Sequence, residues 1–226
     1  MKKILKNKKA CIVAVIVLAT AFLWNNISYL VPRLLAKNWH HYDMTTVIDE
    51  MIPFLPWTVS IYFGCYVFWG INYCWWAFRK ESERTRFFSA DFIAKAISFV
   101  IFLLLPTTNV RPDIADTDVW GAMMKFLYTI DAPDNLFPSL HCLVSWLCWV
   151  GIRKNKSVPP LYRHLSLVAA LAICISTLTT RQHVIADVIG GIILAELCYF
   201  LAGHTKISSI YSWVITKIKA LFRIQE

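Results

Sequence analysis

The chain has 226 residues, of which 58% are hydrophobic and only 16% are charged. A soluble domain carries about 25% charged residues, so this composition excludes a disordered chain, a small disulfide-stabilised secreted module and a large soluble domain. It predicts an all-α membrane protein whose helices each need about 20 apolar residues to cross a bilayer.

Six apolar segments predict six transmembrane helices in one bundle. In chain order they are about Ala10–Val31, Ile52–Phe78, Ala90–Pro106, Pro138–Ile152, Leu161–Thr179 and Val184–Gly203. Residues 1–203 therefore form a single predicted membrane domain. In residues 204–226, apolar residues recur at a helical period, which predicts an amphipathic cytoplasmic tail on the inner membrane surface.

The net charge of +9 first suggests an acidic partner, but the positions of the cations favour a topological explanation. Seventeen of the 23 Lys and Arg residues lie before the first span, in alternate loops or in the tail, and five lie in the opposite loops. Cations collect on the cytoplasmic side of membrane proteins. The distribution therefore predicts cytoplasmic termini in a multi-pass protein of the cell membrane. The first apolar run continues to Trp24, which favours a retained span over a cleaved signal peptide.

The sequence predicts no disulfide and no metal site. All seven cysteines lie inside predicted spans, and none forms a CxxC pair or a zinc-ligand spacing,. His40 and His41 lie near acidic residues in the first outer loop, where a solvated loop is favoured over a metal site. Asp91 and Lys95 are four residues apart in the third span, which favours an internal ion pair over a functional role.

Two histidines stand at the starts of the fourth and sixth spans. The segment Pro138-Ser139-Leu140-His141 opens the fourth, where proline suits the first turn of a helix, and His183 directly precedes the sixth. Because the charge distribution starts both helices at the outer face, we expect the two imidazoles at the same membrane depth. Helix N-termini attract phosphate through their free N–H groups and dipole. This face is therefore the predicted reaction site.

Charged side chains accompany these histidines. Asp187 follows His183 by four positions, so both share a helix face and the carboxylate can orient the imidazole. Arg111 and Arg181 lie in the two loops that precede the histidines. A packing role for Asp187 alone is the alternative, but the convergence of two histidines and two arginines favours catalysis.

Three motifs resemble, in order, the signature of the type 2 phosphatidic acid phosphatase superfamily, and the resemblance covers about residues 55–203. They are Arg111-Pro112, then Pro138-Ser139-Leu140-His141, then His183 with Asp187. The resemblance implies that His183 attacks phosphorus to form a phosphohistidine and that Asp187 orients it. It also implies that His141 protonates the leaving oxygen and later activates the acceptor, without metal or cofactor. Arg111, Ser139 and Arg181 are the expected phosphate-binding residues.

The sequence departs from that signature at two positions. The family lysine of the first motif falls on Leu104, and the family arginine of the third motif falls on Thr177. Arg181 is a candidate to replace the arginine, and Lys95 or Lys125 to replace the lysine. The Thr-Arg-Gln-His run before Asp187 also resembles a divergent branch that includes inositol phosphorylceramide and sphingomyelin synthases. A cation-poor site suits a singly charged phosphodiester better than a doubly charged monoester.

These observations predict a lipid phosphatase that hydrolyses a lipid phosphate ester at the extracytoplasmic face. The expected partners are the bilayer and a lipid phosphate substrate, and nucleic acid is excluded because cation–aromatic clusters occur only at membrane interfaces. Phosphatidic acid, phosphatidylglycerol phosphate and polyprenyl phosphates are all admissible by resemblance. A lipid head-group phosphotransferase is the alternative enzyme. A non-catalytic lipid-binding or transport protein is the alternative of another class.

Overall fold

The computed structural model describes residues 8–114 and 118–221. The described helices are α1 (Lys8–Leu35), α2 (Val47–Met51), α3 (Val59–Ala77), α4 (Glu81–Leu104), α5 (Val119–Ile130), α6 (Leu140–Ile152), α7 (Pro160–Thr179), α8 (Ile185–His204) and α9 (Ile207–Leu221). Strands β1 (Tyr42–Asp43) and β2 (Thr107–Thr108) pair in parallel between two loops. Several residues used in the charge and tail arguments lie outside the described residues: Lys2, Lys3, Lys6, Asp116, Phe222 and Arg223.

The predicted all-α, membrane-type fold is confirmed, and six spans and cytoplasmic termini stay predictions. Among the described residues, α1, α4, α7 and α8 are long and apolar enough to cross a membrane. The 13 residues of α6 reach only about 20 Å, less than a hydrocarbon core of about 30 Å. Helix α3 begins at Val59, later than the predicted Ile52, because Pro53 and Pro56 interrupt the helix there.

Helix α6 occupies the centre of the bundle. It packs against α3, α4, α7 and α8, and most of its side chains are buried, among them Leu143 and Leu147. A helix that is apolar on every face lies in a protein core or in a bilayer, and the four helices packed around α6 give it the first of these environments. The short central helix is therefore shielded by longer ones, and its N-terminus is held at one end of the bundle.

Helix α8 approaches α6 closely at Gly191. A Cβ atom at this position would lie 2.6 Å from the Ser139 carbonyl oxygen and 3.0 Å from the Leu143 nitrogen. On the same side, the Ser139 amide donates to the Asp187 carbonyl at 3.1 Å. These contacts fix the start of α6 beside the start of α8.

The tail helix α9 packs onto the bundle. Tyr211 and Ile215 are buried in the main core, and the Tyr211 ring stacks against Phe88 of α4 with centroids 6.4 Å apart. Trp213 is exposed. The apolar stripe of the tail thus contacts protein, in addition to any contact with the membrane surface that the sequence predicts.

Candidate active site

The structure brings His141 and His183 together. His141 is in the first turn of α6, whose N-cap is Ser139, with the Ser139 hydroxyl accepting from the Cys142 amide at 3.3 Å. His183 lies in the turn between α7 and α8, and its amide donates to the Thr177 carbonyl at 3.1 Å. The ring centroids are 6.0 Å apart, and both rings line one cavity of about 170 Å³.

Asp187 orients His183. The Nδ1 atom of His183 lies 3.1 Å from the Asp187 Oδ2 atom, which also accepts the Val184 amide at 3.0 Å. The carboxylate accepts, so Nδ1 carries the proton and Nε2 is the basic nitrogen. Burial alone lowers the pKa of His183, but the hydrogen bond and negative charge of Asp187 outweigh it and raise the pKa above its ordinary value. The pair is therefore a strengthened base with a fixed orientation.

His141 is connected to a second carboxylate through a tyrosine. The Tyr62 hydroxyl lies 3.3 Å from the His141 Nδ1 atom and donates to Asp131 Oδ2 at 3.0 Å. The Tyr29 hydroxyl donates to the other oxygen of Asp131. Burial alone raises the pKa of Asp131, but charge on His141 and the two tyrosine hydrogen bonds hold it below its ordinary value. Asp131 is thus a carboxylate anion that is connected to His141 through the Tyr62 hydroxyl.

The environment of His141 is aromatic. Its ring centroid lies 4.4 Å from that of Tyr62 and 5.4 Å from that of Trp69. Its Nε2 atom is buried and has no hydrogen-bond partner among the described residues. Because a buried polar atom without a partner costs free energy, this nitrogen is suited to a proton exchange with a bound substrate.

Arg111 lies directly behind the cavity wall. Its two Nη atoms donate, each at 2.5 Å, to the Asp131 carbonyl and to the Gln182 Oε1 atom. Asp131 and Gln182 line the cavity, whereas Arg111 does not. The guanidinium also lies over the Tyr128 ring, 4.5 Å from its centroid. Arg111 therefore contributes charge to the site from one residue layer away.

The structure does not bring Arg181 or Ser139 to the cavity lining. Arg181 has a positive φ of 54° and donates to the backbone carbonyls of Asp49, Glu50 and Ile52. It thereby connects the α7–α8 turn to the C-terminal end of α2. Ser139 is fully buried; its amide donates to the Asp187 carbonyl of α8, and its hydroxyl oxygen accepts the Cys142 amide in the α6 cap.

The positions that depart from the family signature have local roles. Leu104 is exposed, and Thr177 is buried with its carbonyl accepting the amides of Gln182 and His183. Lys95 pairs with Asp91 at 2.8 Å inside the bundle, as the sequence predicts. Neither Lys95 nor Lys125 lines the catalytic cavity.

The cavity is poor in cations. Among the described residues that line it, the carboxylates and imidazoles are those of Asp131, Asp134, His141 and His183, and neither Lys nor Arg is present. Asp134 is paired with Arg33 at 3.1 Å, and burial raises the pKa of Asp134. The groups that can carry positive charge at the reacting atoms are therefore the two histidines themselves.

Sequence reasoning missed the partners of His141. Asp131 is one acid among several in its loop, and Tyr29 and Tyr62 lie on α1 and α3, where no motif marks them. Tyr62 is 79 positions from His141, so local spacing gives no signal for this contact. Gln182 had a weaker signal, since it directly precedes the predicted nucleophile.

Fold and site together define a helical membrane-type protein with two histidines in one cavity and a buried aspartate that contacts the second of them. A family model described as the PAP2 superfamily matches residues 30–201, and the chain belongs to that superfamily. Its members are phosphatases and phosphotransferases, so the family indicates an enzyme of this general kind that acts on lipid-type substrates. Comparison with curated proteins and with solved structures gives no significant match.

Proposed function

We propose that the protein is a metal-independent lipid phosphatase that cleaves a lipid phosphate ester through a phosphohistidine at His183. The observation that carries this proposal is the pairing of His183 with Asp187 across a single cavity from His141. One imidazole is oriented as a base, and the other presents an unpartnered Nε2 atom. This division suits a nucleophile and a separate proton donor.

The proposed reaction has two steps. The Nε2 atom of His183 forms a bond to phosphorus while the ester bond to the lipid oxygen breaks, and His141 donates its Nε2 proton to that oxygen. Neutral His141 then takes a proton from water, whose oxygen attacks the phosphorus and breaks the P–N bond. The products are inorganic phosphate and the lipid alcohol, and His141 is protonated again.

Asp131 and Arg111 have supporting roles in this proposal. Asp131 balances the proton on His141 through Tyr62. Arg111 favours anion binding from behind Gln182, since charge in a poorly solvated site acts at longer range than in water. Phosphate binding by Arg181 and Ser139 is omitted from the proposal, because other contacts occupy them.

The composition of the cavity favours head-group transfer as a second candidate. A phosphate monoester carries nearly two negative charges and a phosphodiester carries one. With Asp131 and Asp134 in the lining and no described Lys or Arg there, a singly charged diester meets less repulsion. In this candidate a lipid alcohol replaces water in the second step. The reaction would take place at the extracytoplasmic face if the predicted topology holds.

Purified protein in detergent tests these proposals. With phosphatidic acid, release of inorganic phosphate supports the phosphatase. With a phosphodiester lipid and diacylglycerol, head-group exchange without phosphate release supports the transferase. His183→Ala is expected to lose either activity by at least about 10³-fold. Unchanged activity in His183→Ala would contradict the mechanism, and binding or transport without turnover would support a non-catalytic protein. His204→Ala, at the opposite end of α8, is the matched control.

A further inference from the structure

A second, larger groove opens beside the catalytic cavity. It has a volume of about 390 Å³ and lies between α1, α3, α4 and α6. Asn25, Tyr66 and Trp69 line both the groove and the catalytic cavity, so the two spaces adjoin each other. Below these shared residues the wall is mostly hydrocarbon, with Phe22 and Val144 among its side chains.

The groove runs along the helices, away from the histidines. It extends from Tyr66 to Tyr73 on α3 and from Asn25 to Leu18 on α1. The ends of each stretch are seven positions apart, and at 1.5 Å per residue both helices give a length of about 10 Å. Gly70 leaves the middle of the α3 wall open, since a Cβ atom there would meet nothing within 4 Å.

A buried ion pair closes the far end. Lys95 lies 2.8 Å from Asp91, each side chain being 2% exposed. The Tyr73 hydroxyl donates to Asp91 at 2.6 Å. Asp91 therefore has both a charged partner and a hydrogen-bond donor. An apolar chain that entered this space would separate the ion pair and leave a buried charge without its partner, which costs free energy. The groove therefore ends at this ion pair.

We propose that the groove binds one hydrocarbon chain of the lipid whose phosphate reacts at His183, and that the Asp91–Lys95–Tyr73 cluster limits the length of chain it accepts. This inference rests on the proposed function. A single hydrocarbon chain is the occupant because the groove is apolar, has a volume of only about 390 Å³ and adjoins the catalytic cavity at three shared residues. A phosphate at the histidines therefore places its ester-linked chain beside the groove. Water suits the space less, since it needs two to four polar partners.

A chain-length series tests this proposal. The substrates are monoalkyl phosphates from butyl to hexadecyl, and alkylphosphocholines of the same chains if the wild type cleaves diesters. For the wild type, kcat/KM is expected to rise with each methylene until the groove is full and then to level off. The rise is at most about fourfold per methylene, the equivalent of burying one CH₂ group.

Two substitutions fill the groove at different depths. Gly70→Leu blocks the middle of the groove, so kcat/KM is expected to level off at a shorter chain length than in the wild type. Butyl phosphate is expected to be cleaved as by the wild type. Leu18→Phe fills only the far end and reduces the rate for the longest chains alone. Gly64→Leu is the matched control, because it makes the same change on α3 at a position that also has no atom within 4 Å of its Cβ and does not line the groove.

The outcomes separate the two proposals. If His183→Ala abolishes turnover but Gly70→Leu and Gly64→Leu have the same kcat/KM at every chain length, the groove proposal is overturned and the proposed function stands. If His183→Ala turns over every substrate like the wild type, the proposed function fails and the groove proposal fails with it. A wild-type rate that is independent of chain length also overturns the groove proposal. Leucine is a better helix former than glycine, so both glycine variants are expected to fold.

Discussion

Asp187 controls both the orientation and the proton affinity of His183. In the proposed mechanism, a His183 ring that is protonated on both nitrogens cannot attack phosphorus, so kcat/KM is expected to fall at a pH below the pKa of His183. Asp187 raises that pKa, and Asp187→Asn removes the charge while burial remains. We therefore expect the acidic limb of the pH–rate profile to move to lower pH, and the maximal rate to fall by up to about 10⁴-fold.

The measurement is kcat/KM against pH for the wild type and Asp187→Asn. Asp43→Asn, in the exposed first loop, is the control. If the acidic limb of Asp187→Asn lies at the same pH as that of the wild type, Asp187 does not determine the protonation of the attacking nitrogen.

Tyr62 and Asp131 are expected to act on His141 as one unit. Asp131→Asn removes the charge that balances a proton on His141, and Tyr62→Phe removes the hydroxyl that connects them. Each change is expected to reduce kcat by about 10²-fold, typical of impaired general acid catalysis. The double variant should lose little more than either single variant, since both break the same connection. Multiplicative losses in the double variant would mean that the two residues act independently.

At the scale of elements, the closeness of α6 and α8 determines where the histidines meet. Gly191→Ala places a methyl group against the Ser139 carbonyl, so the two helices must separate. Overpacking of this kind costs about 1–3 kcal/mol. We expect a lower Tm in detergent and a reduced kcat, because His141 and His183 begin these helices.

Gly64→Ala provides the comparison, since a Cβ atom there meets open space. It is expected to leave Tm unchanged or slightly raised, given the higher helix propensity of alanine. Equal melting of Gly191→Ala and Gly64→Ala would mean that the α6–α8 contact tolerates a wider spacing.

At the scale of the whole molecule, the positions of the cations predict which loops face the cytoplasm. Asp113 lies in the loop before α5 and Lys156 in the turn between α6 and α7, and both are exposed. In intact cells a membrane-impermeant maleimide should label Asp113→Cys, and it should label Lys156→Cys only after permeabilisation. The wild type, whose cysteines are free, gives the background. The reverse pattern would place the histidines on the cytoplasmic side.

The sequence by itself determined the all-α membrane-type fold and the superfamily. Long apolar runs have few stable alternatives to helices in a bilayer, because backbone polar groups must be satisfied within the segment. The candidate pair His183 and Asp187 was also accessible from the sequence, since residues four apart on a helix are neighbours by geometry. The ion pair of Asp91 and Lys95 followed from the same spacing.

Which distant side chains surround the histidines depends on the tertiary structure. Tyr62 contacts His141 and Asp131 from another element, and Arg181, which the sequence predicts at the phosphate, donates to the C-terminal end of α2 instead. Composition and charge counts predict on which side of the membrane a residue lies, but they do not predict the direction in which its side chain points. That direction depends on packing between elements far apart in the chain. The sequence has a net charge of +9, yet the described residues that line the cavity of the two histidines include neither Lys nor Arg.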